Sequence, residues 1–223
     1  MRQGTFQAIY DSPWHSPLLF WAAALAFAVT LAARRPTGFL WRYLALFTLA
    51  IVADAWATGA LTPLGNTVWM TPVAIVFVVL GDLRYFLLLE RFRRGSDGTV
   101  TPAGAARIVA VSLVVPVAST VARHVLDPRD GRVTFLVYEL MFLVMALAIR
   151  FLWLPRRATE ATAVWLAALT SFEIVQYALW ALADIVILSG VEAGFLLRLV
   201  PNTLYYAAFL PYAYATAPRE VAS

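Results

Sequence analysis

The chain has 223 residues, of which 62% are hydrophobic and 13% charged, and it carries a formal net charge of +4. Soluble domains hold about a quarter charged residues and just under half apolar ones, so composition alone places the chain in the membrane class. It contains no cysteine and no lysine, which excludes disulfides, thiolate chemistry and Schiff-base catalysis.

A membrane-crossing helix needs about 20 mostly apolar residues. In chain order seven stretches qualify: 17–33, 38–61, 68–89, 103–122, 133–154, 161–188 and 193–216. The expectation is an all-α polytopic membrane protein, a single bundle of about seven transmembrane helices over 1–223. The first stretch reads as a retained helix and not a signal peptide, because Arg34-Arg35-Pro36 follows it as a stop-transfer sequence would. Turn-forming residues separate the spans: Thr62-Pro63-Leu64-Gly65-Asn66, Gly95-Ser96-Asp97-Gly98, Asp127-Pro128-Arg129-Asp130-Gly131, Pro155 and Ser189-Gly190.

Arginine placement predicts the orientation. Arg34, Arg35 and Arg42 flank the first connection, Arg91, Arg93 and Arg94 the third, and Arg150, Arg156 and Arg157 the fifth. The second and sixth connections have none, while the fourth sets Arg123, Arg129 and Arg132 against Asp127 and Asp130. By the positive-inside rule the odd connections are cytoplasmic, the N-terminus is outside and the C-terminus inside, in a membrane expected to be the bacterial plasma membrane. Those flanking arginines also account for the basic balance, so no nucleic-acid partner is expected. Trp14, Trp41, Trp69 and Trp153 lie near span ends as interface anchors.

Weak internal similarity links the second and sixth spans through Trp41, Thr48 and Ile51-Val52 against Trp165, Thr170 and Ile174-Val175. The third and seventh spans share Pro72 and Pro201, which suggests a 3+1+3 parallel pseudo-repeat. That topology is similar to the sugar-transporter and PQ-loop group. The Pro-Gln pair diagnostic of the group is absent, and Pro201-Asn202 alone does not carry membership.

The functional candidates are polar residues inside the spans, because an ionisable side chain there costs about 2.5–3.5 kcal/mol and needs a partner or a wet cavity. At about 1.5 Å per residue, Glu173 is the deepest acid, roughly 18–22 Å from either end of its helix. Asp54, Glu139, Asp184 and Arg198 fall in the outer half, and Asp82 and Arg84 in the inner half. Glu173, Gln176, Tyr177, Trp180 and Asp184 recur at helical spacing and share one face. Arg198, Asn202, Tyr205 and Tyr206 cluster around Pro201, which frees a backbone carbonyl.

The expected site is a cavity open to the outside, with Glu173 at its floor, Gln176 and Tyr177 beside it, and Asp54, Glu139, Arg198 and Asn202 around it. Asp82 and Arg84 are expected to form a structural ion pair, with Arg84 reaching the inner boundary and Asp82 within range of Arg42 or Arg107. No catalytic residue, metal ligand or cofactor is expected. Without lysine, retinal cannot be held covalently. Asp54 and Asp82 lie in opposite halves of the bilayer, unlike an aspartyl-protease pair, and no histidine lies in a span to activate a serine. The sequence points to a protein that binds or transports a small polar solute or a proton, not to an enzyme. The competing expectation is a non-catalytic subunit that packs through apolar helix faces against membrane-protein partners or copies of itself.

Overall fold

The structure is a computed structural model that describes residues 4–12, 15–34, 38–65, 67–96, 98–126 and 131–222. Every regular element among them is helical. A short helix α1 (Thr5–Tyr10) precedes α2 (His15–Arg34), α3 (Gly38–Thr58), α4 (Met70–Phe92) and α5 (Pro102–Leu126). Then follow α6 (Arg132–Ala148), a π-helical stretch Ile149–Trp153 and α7 (Leu154–Arg157), which run on as one rod. The long α8 (Glu160–Leu188) leads to α9 (Gly194–Thr203), a second π-helical stretch Leu204–Ala208, α10 (Phe209–Ala215) and the short α11 (Arg219–Ala222).

Five of these helices are long and apolar enough to cross a membrane: Gly38–Thr58, Pro72–Phe92, Pro102–Val125, Arg132–Arg157 and Thr162–Leu188. They make the chain an all-α protein suited to integral membrane location. The other two expected spans differ. The apolar run Leu18–Thr30 is shorter, and the last helical stretch, 194–215, is diluted by Arg198, two prolines, Asn202 and four tyrosines. The expected stretches 38–61, 68–89, 103–122, 133–154 and 161–188 overlap the five long apolar helices. Asn66, Asp97 and the turn residues Asp127, Pro128, Arg129 and Asp130 lie outside the described residues, as do Trp14, Arg35 and Pro36.

The turns that are described form for local reasons. Gly190 has φ +85° after α8, a backbone conformation that costs glycine nothing. Its N–H donates to the Ile187 carbonyl and the Val191 N–H to the Val186 carbonyl, the paired bonds of a Schellman cap. Gly95, at φ 128°, ends the α4 segment in the same economical way.

Helices adjacent in sequence pack side by side, and α2 closes the ring by packing on the 204–208 stretch and on α10. Contacts between α4 and α8 cross the middle. The core between them is rich in rings: Tyr43, Tyr85, Phe86, Phe92, Phe142, Trp165, Tyr177 and Phe209. Outward-facing positions are apolar instead of charged. On α5 the exposed residues Val109, Leu113, Val117, Val121 and Val125 recur every fourth position, a face that water would disfavour and lipid would accept.

Both π-helical stretches precede a proline. Leu154 N–H bonds the Ile149 carbonyl and Phe209 N–H bonds the Leu204 carbonyl, each five residues back. Pro155 and Pro211 have no N–H to give to Phe151 and Ala207, four residues earlier and inside the widened turn. Buried positions accordingly run Glu139, Phe142, Ala146 and then Leu154, one residue later than an uninterrupted helix would place it. The sequence repeat equates these helices with α2 and α4, which contain no such turn.

Candidate functional site

Polar groups gather at the end of the bundle where α3 and α8 finish and α4, α6 and α9 begin. A cavity of about 460 Å³ opens there, lined by Asp54, Glu139, Tyr177, Arg198 and Asn202 together with Tyr10, His15, Tyr138, Trp180, Tyr205 and Tyr206. Five of the seven residues expected at the site therefore meet at one cavity. Glu173 and Gln176 are not part of its lining. They share a helix face with Tyr177, Trp180 and Asp184, but they lie deeper, with Glu173 2% exposed and Gln176 fully buried.

Arg198 organises the outer layer. Its Nη1 donates to Glu139 Oε1 at 3.1 Å and to Asp184 Oδ1, while Nε donates to Tyr10 Oη at 3.2 Å. Asp184 is fully buried and also accepts from Arg132 Nη1 at 3.0 Å. The result is two arginines shared between two carboxylates. The sequence puts Asp184 in the outer half on the Glu173 face; its two arginine neighbours make it the centre of this cluster. From the sequence Arg132 counts only toward the charge of the fourth connection, and Tyr10, before the first span, gives no signal.

The cavity wall is held by side-chain bonds within and between helices. Asp54 accepts from Thr58 Oγ1 at 2.9 Å and Tyr206 Oη at 3.1 Å. Trp180 Nε1 donates to Asn202 Oδ1 at 2.7 Å, which leaves the Asn202 amide nitrogen facing His15 Nε2 at 3.4 Å. His15 precedes the apolar run of α2, and its Nδ1 lies 2.9 Å from the Tyr10 carbonyl. A carbonyl only accepts, so Nδ1 carries the proton and Nε2 is the acceptor that Asn202 requires. Burial pushes the imidazole below the ordinary histidine range, in keeping with that neutral tautomer.

Beneath the cavity lies a second polar layer. Asp82 accepts from Tyr138 Oη at 2.6 Å and from Tyr177 Oη at 3.0 Å. Arg84 is 1% exposed. Its Nη1 donates to the Tyr205 carbonyl at 2.8 Å, Nη2 lies 3.9 Å from Glu173 Oε1, and its guanidinium sits 4.2 Å and 4.4 Å from the Tyr205 and Phe209 ring centroids. The expected ion pair between Asp82 and Arg84 is thus corrected. Two residues apart on a helix, they point about 200° away from each other. Arg84 does not reach the inner boundary either; it turns inward to Glu173. Arg107, considered for Asp82, instead pairs with Glu90.

Gly81 accommodates the Tyr205 side chain beside Arg84. A Cβ at this position would collide with Tyr205 Oη, so glycine leaves room for the Tyr205 ring, which lies against the Arg84 guanidinium. Comparison with protein-family models, curated proteins and solved structures gave no match.

Proposed function

We propose that the chain is a membrane protein that binds or transports a small polar solute, or a proton, through the cavity bordered by Asp54, Glu139, Arg198 and Asn202. One observation carries this reading. The cavity converges acids, a cation, an amide and seven Phe, Tyr and Trp side chains at one end of an otherwise lipid-facing bundle, and buried ionisable groups beside such a space are functional by default. Trp180 and the tyrosines supply flat apolar faces with polar edges, the surface that small hydroxylated or cationic solutes use. Glu173 and Arg84 act behind the lining, by fixing the backbone of the Tyr205 segment.

The reading includes seven spans, with the N-terminus outside. The arginine-poor second and sixth connections lie at the cavity end, so the cavity opens outward. Reporter fusions after Leu64, Ser96 and Ser223 should report outside, inside and inside. A reversed signal at any one of them would turn the cavity toward the cytoplasm.

The solute test uses full-length protein in proteoliposomes. Sugars, amino acids, organic cations and a pH step are tried in turn, with uptake and tryptophan fluorescence recorded. One class should be taken up and should shift the fluorescence. Asn202→Ala, which frees Trp180, should weaken that response roughly tenfold, the effect of about 1.4 kcal/mol. If no class is taken up or bound, and Asn202→Ala changes only assembly with other proteins, the chain is a packing subunit instead.

A further inference from the structure

At the opposite end of the bundle a second hollow, of about 480 Å³, opens between α4, α5 and the widened turn before Pro155. Its walls are apolar, built from residues such as Phe86, Leu89, Val111 and Met145. Its rim holds three arginines, Arg107, Arg156 and Arg157, against the single carboxylate of Glu90. That carboxylate is already occupied. Arg107 Nη2 lies 2.9 Å and Arg93 Nη2 3.1 Å from Glu90 Oε1, and the Nε of each arginine donates to Oε2 at 3.1 Å.

Arg156 and Arg157 are different. Both are exposed, and neither has a hydrogen bond or ion-pair partner among the described residues. The widened turn carries them past Leu152, which lines the hollow and is itself exposed, as is its neighbour Phe151. The hollow is thus continuous with the outward apolar surface of the bundle, and the Arg156 and Arg157 charges stand at one end.

We infer that this groove binds one anionic phospholipid, with an acyl chain along the Phe86–Met145 wall and the phosphate on Arg156 and Arg157. An apolar slot with a basic mouth at the arginine-rich end of a helical bundle has the charge and shape complementary to such a headgroup. A soluble anion would use the mouth but gain nothing from the wall. A neutral lipid would use the wall but leave both guanidinium groups unpaired.

The test is native mass spectrometry of the full-length protein in neutral detergent, offered phosphatidylglycerol or phosphatidylcholine with identical chains. Phosphatidylglycerol should be retained preferentially. Arg156→Gln with Arg157→Gln should lower its retention about fivefold per arginine, roughly twenty- to thirtyfold together. Ala148→Trp, at an exposed position lining the groove, should block retention with the charges intact. That variant decides the matter alone if the double glutamine variant fails to fold. Equal retention of the two lipids, unchanged retention in either variant, or displacement of the lipid by inorganic phosphate alone would overturn the proposal. So would a protein dimer that Ala148→Trp dissolves while lipid retention persists.

Discussion

Replacing Arg84 with methionine is expected to destabilise the bundle by about 3–5 kcal/mol, because removing one partner of a buried pair strands the other. Glu173 is the partner left behind. It is 2% exposed, and its remaining hydrogen bond among the described residues is from Gln176 Nε2 at 3.3 Å. The Tyr205 carbonyl loses its donor at the same time, and two aromatic faces lose their cation. Arg84→Lys should recover little, since an ammonium can neither fork between Glu173 and the carbonyl nor stack on Tyr205. Adding Glu173→Met to Arg84→Met should restore much of the loss, since the uncompensated acid is then gone. Thermal melting in detergent measures all three variants. A single methionine variant that melts like the unaltered protein would mean that Glu173 does not depend on Arg84.

Arg198→Gln should be nearly as costly, at about 3 kcal/mol, and should also disable the outer cavity. Arg198 bridges Glu139 and Asp184, and the second oxygen of each carboxylate has no hydrogen-bond partner among the described residues. Without the cation, two buried acids face one another with only Arg132 nearby, on Asp184. Glu139→Gln placed on top of Arg198→Gln should return part of the stability, because one of the two charges is removed. Solute binding should not return with it, since the cavity wall then lacks both. Melting and fluorescence titration separate these effects. Recovery of both together would assign Arg198 to packing alone and remove it from the site.

Much of the bundle could be read from the sequence because lipid imposes a simple rule: a helix in hydrocarbon must be long and apolar. The runs ending at Gly95 and Ser189-Gly190 illustrate it, for periodicity and turn chemistry agree there. The site was harder to read. Helical spacing placed Tyr177, Trp180 and Asp184 on one face, but it could not say how deep that face opens. Glu173 belongs to the same face and lies below the cavity floor. Asp82 and Arg84 were paired by depth, a coordinate blind to direction around the helix. Nothing beside Gly81 in the sequence signals its contact with Tyr205, more than a hundred positions away. Tyr10 and His15 were passed over because they stand outside the apolar runs, and it is the fold that returns them to the cavity mouth.

The widened turn at Leu204–Ala208 allows one helix to answer two surroundings. Ahead of it, Phe195, Arg198 and Asn202 trace a stripe toward the outer cavity; beyond it, Phe209, Leu210, Ala213 and Tyr214 trace another into the aromatic interior. A regular helix advances about 100° per residue, so a single extra residue offsets the second stripe by that angle. The splice works like a phase shift in a repeating signal. The polar message ends, the apolar one begins on a rotated bearing, and Tyr205 and Tyr206 at the join belong to both. Each half of the helix is therefore free to change its own face without forcing the other to turn.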